Sequence, residues 1–219
     1  MPNPLTRLLS YILPLTCTVH SPISGPLKVR CYRGHKVLDT RHANYSYGSL
    51  QRILRYGLLF VEPMQANQIL LLGLGGGSVV ATLRQEMHYQ GHLTAVELDP
   101  VMIRLAATEF GIQPDAQLTI VWADAFDWVC TAPAGGFGLV IVDLFVDLDL
   151  PAGLQTATFW QHLQRVLHPG GYVLFNTLTS VLLQVAGQAL PTYLESLGFS
   201  VKELEVERLN QLLILRKQS

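Results

Sequence analysis

The 219 residues predict an α/β protein whose main part is a doubly wound, mostly parallel, seven-stranded sheet, closed by a C-terminal antiparallel hairpin and preceded by a short β-hairpin and helix. Three observations predict it. From residue 67 onward, short β-branched or leucine-rich runs alternate with amphipathic stretches of helical length, the pattern of a parallel sheet with covering helices. The first run passes straight into a glycine-rich turn and a helix, Gly73-Leu74-Gly75-Gly76-Gly77-Ser78. Acidic residues stand at or just after the ends of the next three runs: Glu97, Asp124 and Asp143.

In chain order, residues 1–66 read as an N-terminal extension packed on the main domain of residues 67–219, with no repeat or low-complexity linker between them. The extension begins with Arg7 and a short apolar run, Leu8-Leu9-Ser10-Tyr11-Ile12-Leu13, which Pro14 cuts short. No Ala-x-Ala-like cleavage site follows, so it makes a poor secretory segment. A hairpin is expected over 27–32 and 36–39, turned by Arg33-Gly34-His35, then a polar, aromatic loop over 41–48 and an amphipathic helix over 49–60. In the main domain the strands are expected at 68–72, 92–97, 118–122, 138–143 and 171–176. Helices are expected at 78–87, 100–110, a short one from Ala125, 154–167 and about 180–197, with tail strands at 199–205 and 210–216 joined by a turn around Arg208 and Leu209. Asp99-Pro100 starts one helix and His168-Pro169-Gly170-Gly171 stops another.

Composition excludes several classes. With 49% hydrophobic and 14% charged residues the chain builds one medium core, and 18 glycines without a period exclude collagen. Fifteen basic against 16 acidic residues, with no Lys/Arg run, remove the phosphate attraction that nucleic-acid binding relies on. No run reaches the ~18 apolar residues of a spanning helix, so no membrane partner and a cytoplasmic protein are expected. Cys17, Cys31 and Cys130 are widely spaced without a CxxC, and the seven histidines are scattered. Each cysteine is expected to be a buried small hydrophobe, and no metal site is expected.

The glycine-rich turn lets the backbone bend sharply and approach a nucleotide, while the helix that follows presents unpaired N–H donors. Glu97 ends the second strand 24 residues after Gly73, counting 97 − 73, near the offset at which a carboxylate accepts from both ribose hydroxyls. Asp124 follows the third strand, where it can accept from an adenine amine with the Ala125 N–H beside a ring nitrogen. Asp143 ends the fourth. Ligands of open α/β sheets sit beyond the carboxyl ends of the strands, so these ends converge on one crevice. With Asp147 and Asp149 nearby the crevice is acidic and favours a cationic cofactor and a cationic or amine substrate, although Asp147 and Asp149 equally suit a solvated loop before Pro151.

The runs ILLLGLGGGS, TAVELDP, VWADAF, VIVDLF and LHPGGYVLFN resemble the class I S-adenosylmethionine-dependent methyltransferase fold, a Rossmann-like architecture, and within it the spermidine-synthase-like branch of polyamine biosynthesis. The resemblance covers about residues 43–199, and Asn44-Tyr45-Ser46-Tyr47 before a helix is similar to the tyrosine-containing loop that borders the polyamine site. It implies that Gly73, Gly75 and Gly77 form the nucleotide loop, that Glu97 holds the ribose, and that Asp124 with Ala125 holds the adenine of S-adenosylmethionine or decarboxylated S-adenosylmethionine. It further implies Asp143 as the proton-accepting carboxylate beside the sulfonium, Tyr47 as a catalytic residue orienting the nucleophile, and Asp147 on the substrate. Tyr45 and Tyr47 equally suit packing under the N-terminal hairpin. By analogy it implies a homodimer.

Two departures turn the expectation from aminopropyl toward methyl transfer. Gly76 stands where spermidine synthases carry an Asp, and Asp143-Leu144-Phe145-Val146-Asp147 replaces their D-x-x-D pair. The expected function is therefore a spermidine-synthase-like transferase acting on an amine or cationic small molecule. The alternatives are a true aminopropyltransferase, a non-catalytic nucleotide-binding module, and an NAD-dependent dehydrogenase. Against the last stand Ser78 at the third glycine position of G-x-G-x-x-G and the lack of a second domain after the sheet.

Overall fold

A computed structural model of the chain describes residues 8–42, 44–207 and 209–218; the expectations for Arg7, for Ala43 and for the turn at Arg208 lie outside them. Four antiparallel strands come first, paired in the order β1 (Leu15–Ser21), β2 (Gly25–Tyr32), β3 (His35–Asp39) and β4 (Asn44–Ser46). β2 alternates, burying Leu27, Val29 and Cys31. Helix α1 (Gly48–Val61) follows, with Ile53, Leu54, Leu58 and Val61 inward.

The larger sheet has seven strands. Gln68–Leu72 (β5) leads into α2 (Ser78–Ala81), which continues as a π-turn over Thr82–Glu86, and then β6 (His92–Glu97) and α3 (Pro100–Phe110). Next come β7 (Leu118–Trp122), α4 (Ala125–Thr131), β8 (Phe137–Val142), α5 (Ala157–Val166) and β9 (Leu167–Leu178). The chain closes with a two-residue pair, β10 (Gln184–Val185) and β11 (Gln188–Ala189), then α6 (Leu190–Ser196), β12 (Phe199–Val206) and β13 (Asn210–Lys217). The order is β12-β13-β9-β8-β5-β6-β7. β5 to β9 are parallel, and β13 runs antiparallel between β9 and β12. All six residues of β8 are buried, as a strand covered on both faces requires.

The two parts pack together. Leu27, Val29 and Leu38 of the small sheet share a core with Met102 and Leu105 of α3. Helix α1 covers the large sheet, and a Cβ at Gly57 would stand 2.7 Å from a Leu174 methyl and 2.9 Å from one of Leu212. Among the described residues no helix is long and apolar enough to cross a membrane.

The structure corrects several expectations. The helix expected at 180–197 is only α6, because Ala186 and Gly187 (φ 52° and 76°) turn a hairpin there and Pro191 starts the helix after it. The helix expected at 154–167 is α5, Ala157–Val166, and the His168-Pro169-Gly170-Gly171 run lies inside β9 rather than between helix and strand. β1 was missed although Leu15, Cys17 and Val19 alternate with Thr16, Thr18 and His20; as an edge strand it leaves most of its side chains exposed. Cys17 and Cys130 are exposed rather than core residues, and only Cys31 is buried.

Candidate active site

Gly73 follows β5 with φ 93°, a region that glycine enters freely. Its N–H donates to the Val96 carbonyl at 2.9 Å, and the Asp143 N–H donates to the Leu72 carbonyl at 2.9 Å. A Cβ on Gly73 would lie 2.1 Å from the Asp143 carbonyl oxygen. Only glycine therefore lets the ends of β5 and β8 come this close, and the strand order reverses at that point. Here a cleft of about 350 Å³ opens, lined by Gly73, Gly75, Glu97, Asp124, Ala125 and Asp143 among others.

Glu97 Oε2 accepts from the N–H groups of Leu74 and Gly75, both at 3.0 Å, and Oε1 accepts from the Asp99 N–H at 2.9 Å. Burial pushes its carboxyl up, and the three backbone donors pull it back. Asp99 is buried; its Oδ1 caps α3 through the Val101 N–H at 2.8 Å, and its Oδ2 accepts from the hydroxyls of Ser21 and Ser24. Asp124 caps α4, with Oδ1 accepting from the Phe126 N–H at 2.7 Å, which leaves its other oxygen for a ligand.

Asp143 sits at the centre of the sheet edge. Its Oδ1 accepts from Asn176 Nδ2 at 2.9 Å, and Asn176 Oδ1 accepts from Asn210 Nδ2 at 3.0 Å. Burial pushes the Asp143 carboxyl up to about 6; the Asn176 amide opposes the shift and the Glu97 charge adds to it.

Asp147 lines the cleft, but its carboxylate is engaged. It accepts from the Thr40 hydroxyl and from the His42 N–H at 3.0 Å, and pairs with His42 Nδ1 at 2.5 Å. Burial acts to raise its carboxyl, but the Thr40 and His42 contacts win and hold it below the ordinary range. The loop after β8 is thus tied to the loop after β3, and Asp147 is no freely solvated residue.

The structure does not bring every expected residue into the cleft. Gly77 lies outside the lining, and a Cβ there would stand 2.6 Å from an Ile112 side-chain carbon, so this glycine serves close packing. Tyr47 also lies outside: its ring stacks on Phe110 with centroids 4.5 Å apart. Its φ of 66° at the start of α1 breaks the alternation that would have set Tyr45 and Tyr47 on one face. Tyr45 is the tyrosine in the cleft, and its hydroxyl donates to the Phe145 carbonyl. Burial and then the charge of Glu97 push the Tyr45 hydroxyl far up, so it acts as a donor. Asn176 and Asn210 also line the cleft and were missed. The signal for Asn176 was present, an amide inside the apolar strand run Tyr172–Leu178 just across the sheet from an acid.

The electrostatics are one-sided. Among the described lining residues are five carboxylates, Glu97, Asp99, Asp124, Asp143 and Asp147, and no lysine or arginine. Such a lining attracts cations. No group of His, Cys, Asp or Glu among the described residues is placed to hold a metal ion.

Residues 69–171 match a family model described as a methyltransferase domain. The chain is 31% identical over 131 residues to the polyamine aminopropyltransferase of Vibrio vulnificus, across 59% of this chain and 43% of that one. It is 30% identical over 118 residues to the eEF1A lysine and N-terminal methyltransferase homolog of Drosophila melanogaster, across 50% of this chain and 17% of that one. The matched stretch thus spans less than half the length of these curated relatives. Among solved structures, human Methyltransferase-like protein 13 in complex with SAH superimposes with a TM-score of 0.62 at 21% identity, covering 78% of this chain and 83% of that one. The chain has the S-adenosylmethionine-dependent methyltransferase fold and has spermidine-synthase-like relatives.

Proposed function

We propose that the chain binds an S-adenosyl sulfonium nucleotide and transfers an alkyl group, methyl rather than aminopropyl, to an amine acceptor. The observation that carries this reading is the convergence of Gly73, Gly75, Glu97 and Asp124 on one side of Asp143 in a single acidic cleft. The donor and acceptor set fits such a nucleotide. Glu97 would accept from the ribose hydroxyls, Asp124 from the adenine amine with the Ala125 N–H on a ring nitrogen, and the carboxylates would favour the sulfonium charge. The bound nucleotide supplies an electrophilic carbon on a positively charged sulfur.

The chain's own residues would do the rest. Holding the two reactants in line is the largest lever for such a displacement. Asp143 would accept the proton that the amine nitrogen loses, with Asn176 fixing the orientation of its carboxylate. Tyr45, rather than Tyr47, is the tyrosine of the cleft lining and would border the acceptor, its hydroxyl held by the Phe145 carbonyl.

Two contacts support methyl transfer. Gly76 has no room for the aspartate of spermidine synthases, because a Cβ there would lie 2.8 Å from Ser46 Cβ. Asp147 is already paired with His42 and Thr40. A second reading, aminopropyl transfer, is favoured by one observation: no lysine or arginine among the described lining residues meets the carboxylate that S-adenosylmethionine carries and its decarboxylated form lacks.

Calorimetric titration of the protein with S-adenosylmethionine, decarboxylated S-adenosylmethionine and methylthioadenosine, with NADH as control, tests the proposal. Preference for the carboxylated form is the expected result. Preference for the decarboxylated form selects the second reading, and binding of NADH alone overturns both.

A further inference from the structure

We infer that the acceptor is a monoamine carried on an apolar body, such as an aryl-alkyl amine, and not a polyamine. This inference rests on the proposed transferase reading and concerns the half of the same cleft that the nucleotide would leave open.

The sheet order divides the cleft at Asp143. On one flank, at the ends of β5, β6 and β7, lie the glycine turn, Glu97 and Asp124. On the other flank lie the ends of β9 and β13 and the covering helix α1. The described lining residues of that second flank are Leu50 and Ile53 of α1, Leu178 of β9 and Leu209 beside β13, with the polar groups Ser49, Asn176 and Asn210. None is charged. The loop after β8 adds Leu144, Phe145 and Val146, and its one lining acid, Asp147, is paired with His42. Val146 and Leu209 are large apolar side chains left exposed, at 41% and 71%, where the cleft meets solvent.

On this flank, an acceptor nitrogen beside Asp143 therefore meets no second unpaired carboxylate among the described lining residues. The distal ammonium of a diamine would enter a mostly apolar flank with no acid among its described lining residues to receive it, and burying an unpaired charge is costly. An aryl or alkyl body would instead cover Leu50, Ile53, Leu178 and Leu209 at a gain. The apolar surroundings also favour the neutral amine that attack requires. In the step itself the nitrogen lone pair forms the new C–N bond as the C–S bond breaks. The sulfur keeps the bonding pair and leaves as a neutral thioether, and the proton released by nitrogen passes to Asp143.

The test is titration of the full chain with phenethylamine and with putrescine, each with and without methylthioadenosine, repeated in Leu209→Asp. Leu209 is exposed, so this variant retains the fold. Phenethylamine is expected to bind about tenfold or more tightly than putrescine, from the apolar area it covers, and Leu209→Asp should narrow or reverse that ratio. Equal or tighter putrescine binding, no phenethylamine binding under either condition, or an unchanged ratio in Leu209→Asp overturns the inference. The two readings fail separately. Absence of methylthioadenosine binding strikes the transferase reading, whereas the amine ratio, read also without nucleotide, decides the acceptor class.

Discussion

Asn176 Nδ2 donates to Asp143 Oδ1 at 2.9 Å across adjacent parallel strands, and the same Asn176 accepts from Asn210 on the antiparallel strand inserted next to it. Asn176 is wholly buried, so its amide has a fixed direction and aims a donor at the carboxylate. Replacing it with Leu removes that donor and leaves Asn210 without its acceptor. The Asp143 carboxyl should then titrate at higher pH, seen as an upward move of the pH–rate midpoint, with a stability loss of about 1–3 kcal/mol in denaturant titration.

The pH dependence of turnover should report Asp143. Its carboxyl lies at about 6 in the fold against an ordinary 3.8, so the proton-accepting form dominates above pH 6. Turnover at saturating nucleotide should fall about tenfold per pH unit below that point. Asp143→Asn should lower turnover about 10²–10⁴-fold with nucleotide affinity nearly unchanged.

The same shift has a stability consequence of opposite sense. A carboxyl raised by folding contributes stability that is full below its unfolded value and is lost as pH rises through its folded value. Above pH 6 the ionised Asp143 therefore weakens the fold, by at most about 3 kcal/mol for a shift from 3.8 to about 6. Asp143→Asn should raise the melting temperature at pH 8 and leave it nearly unchanged at pH 3.

Glu97→Ala and Asp124→Ala should both weaken nucleotide binding in calorimetry. Asp124→Ala also removes the cap on α4, at about 1 kcal/mol. Asp124→Ser retains a capping oxygen, so it should restore stability without restoring the adenine contact. Full nucleotide affinity in both alanine variants would sink the assignment.

Gly76→Asp probes whether the loop can take the acid that spermidine synthases carry. With Ser46 Cβ 2.8 Å from the added carbon, it should cost about 1–3 kcal/mol by thermal denaturation. Ser46→Gly in the same chain should recover part of that loss, since it also takes the Ser46 Oγ acceptor from the Ser78 N–H and leaves Leu38 3.3 Å from the added carbon.

The sheet, and the strand-end residues that line one side of the cleft, were legible in the sequence. β5, β6 and β7 and helix α3 have the expected bounds, because buried parallel strands carry unbroken apolar runs and Asp99-Pro100 marks a helix start locally. Gly73, Glu97, Asp124 and Asp143 were legible because each belongs to the strand end that positions it. The remaining contacts join distant parts of the chain. Tyr45 replaces Tyr47 at the cleft because one positive φ redirects the chain. Asp147 is held by His42 and Thr40, more than 100 positions away in sequence. Asn210 reaches Asn176 only because β13 is inserted antiparallel beside β9. Local periodicity fixes which residues a strand buries, whereas these contacts depend on which distant strand or loop becomes the neighbour, and that is set by packing of the whole chain.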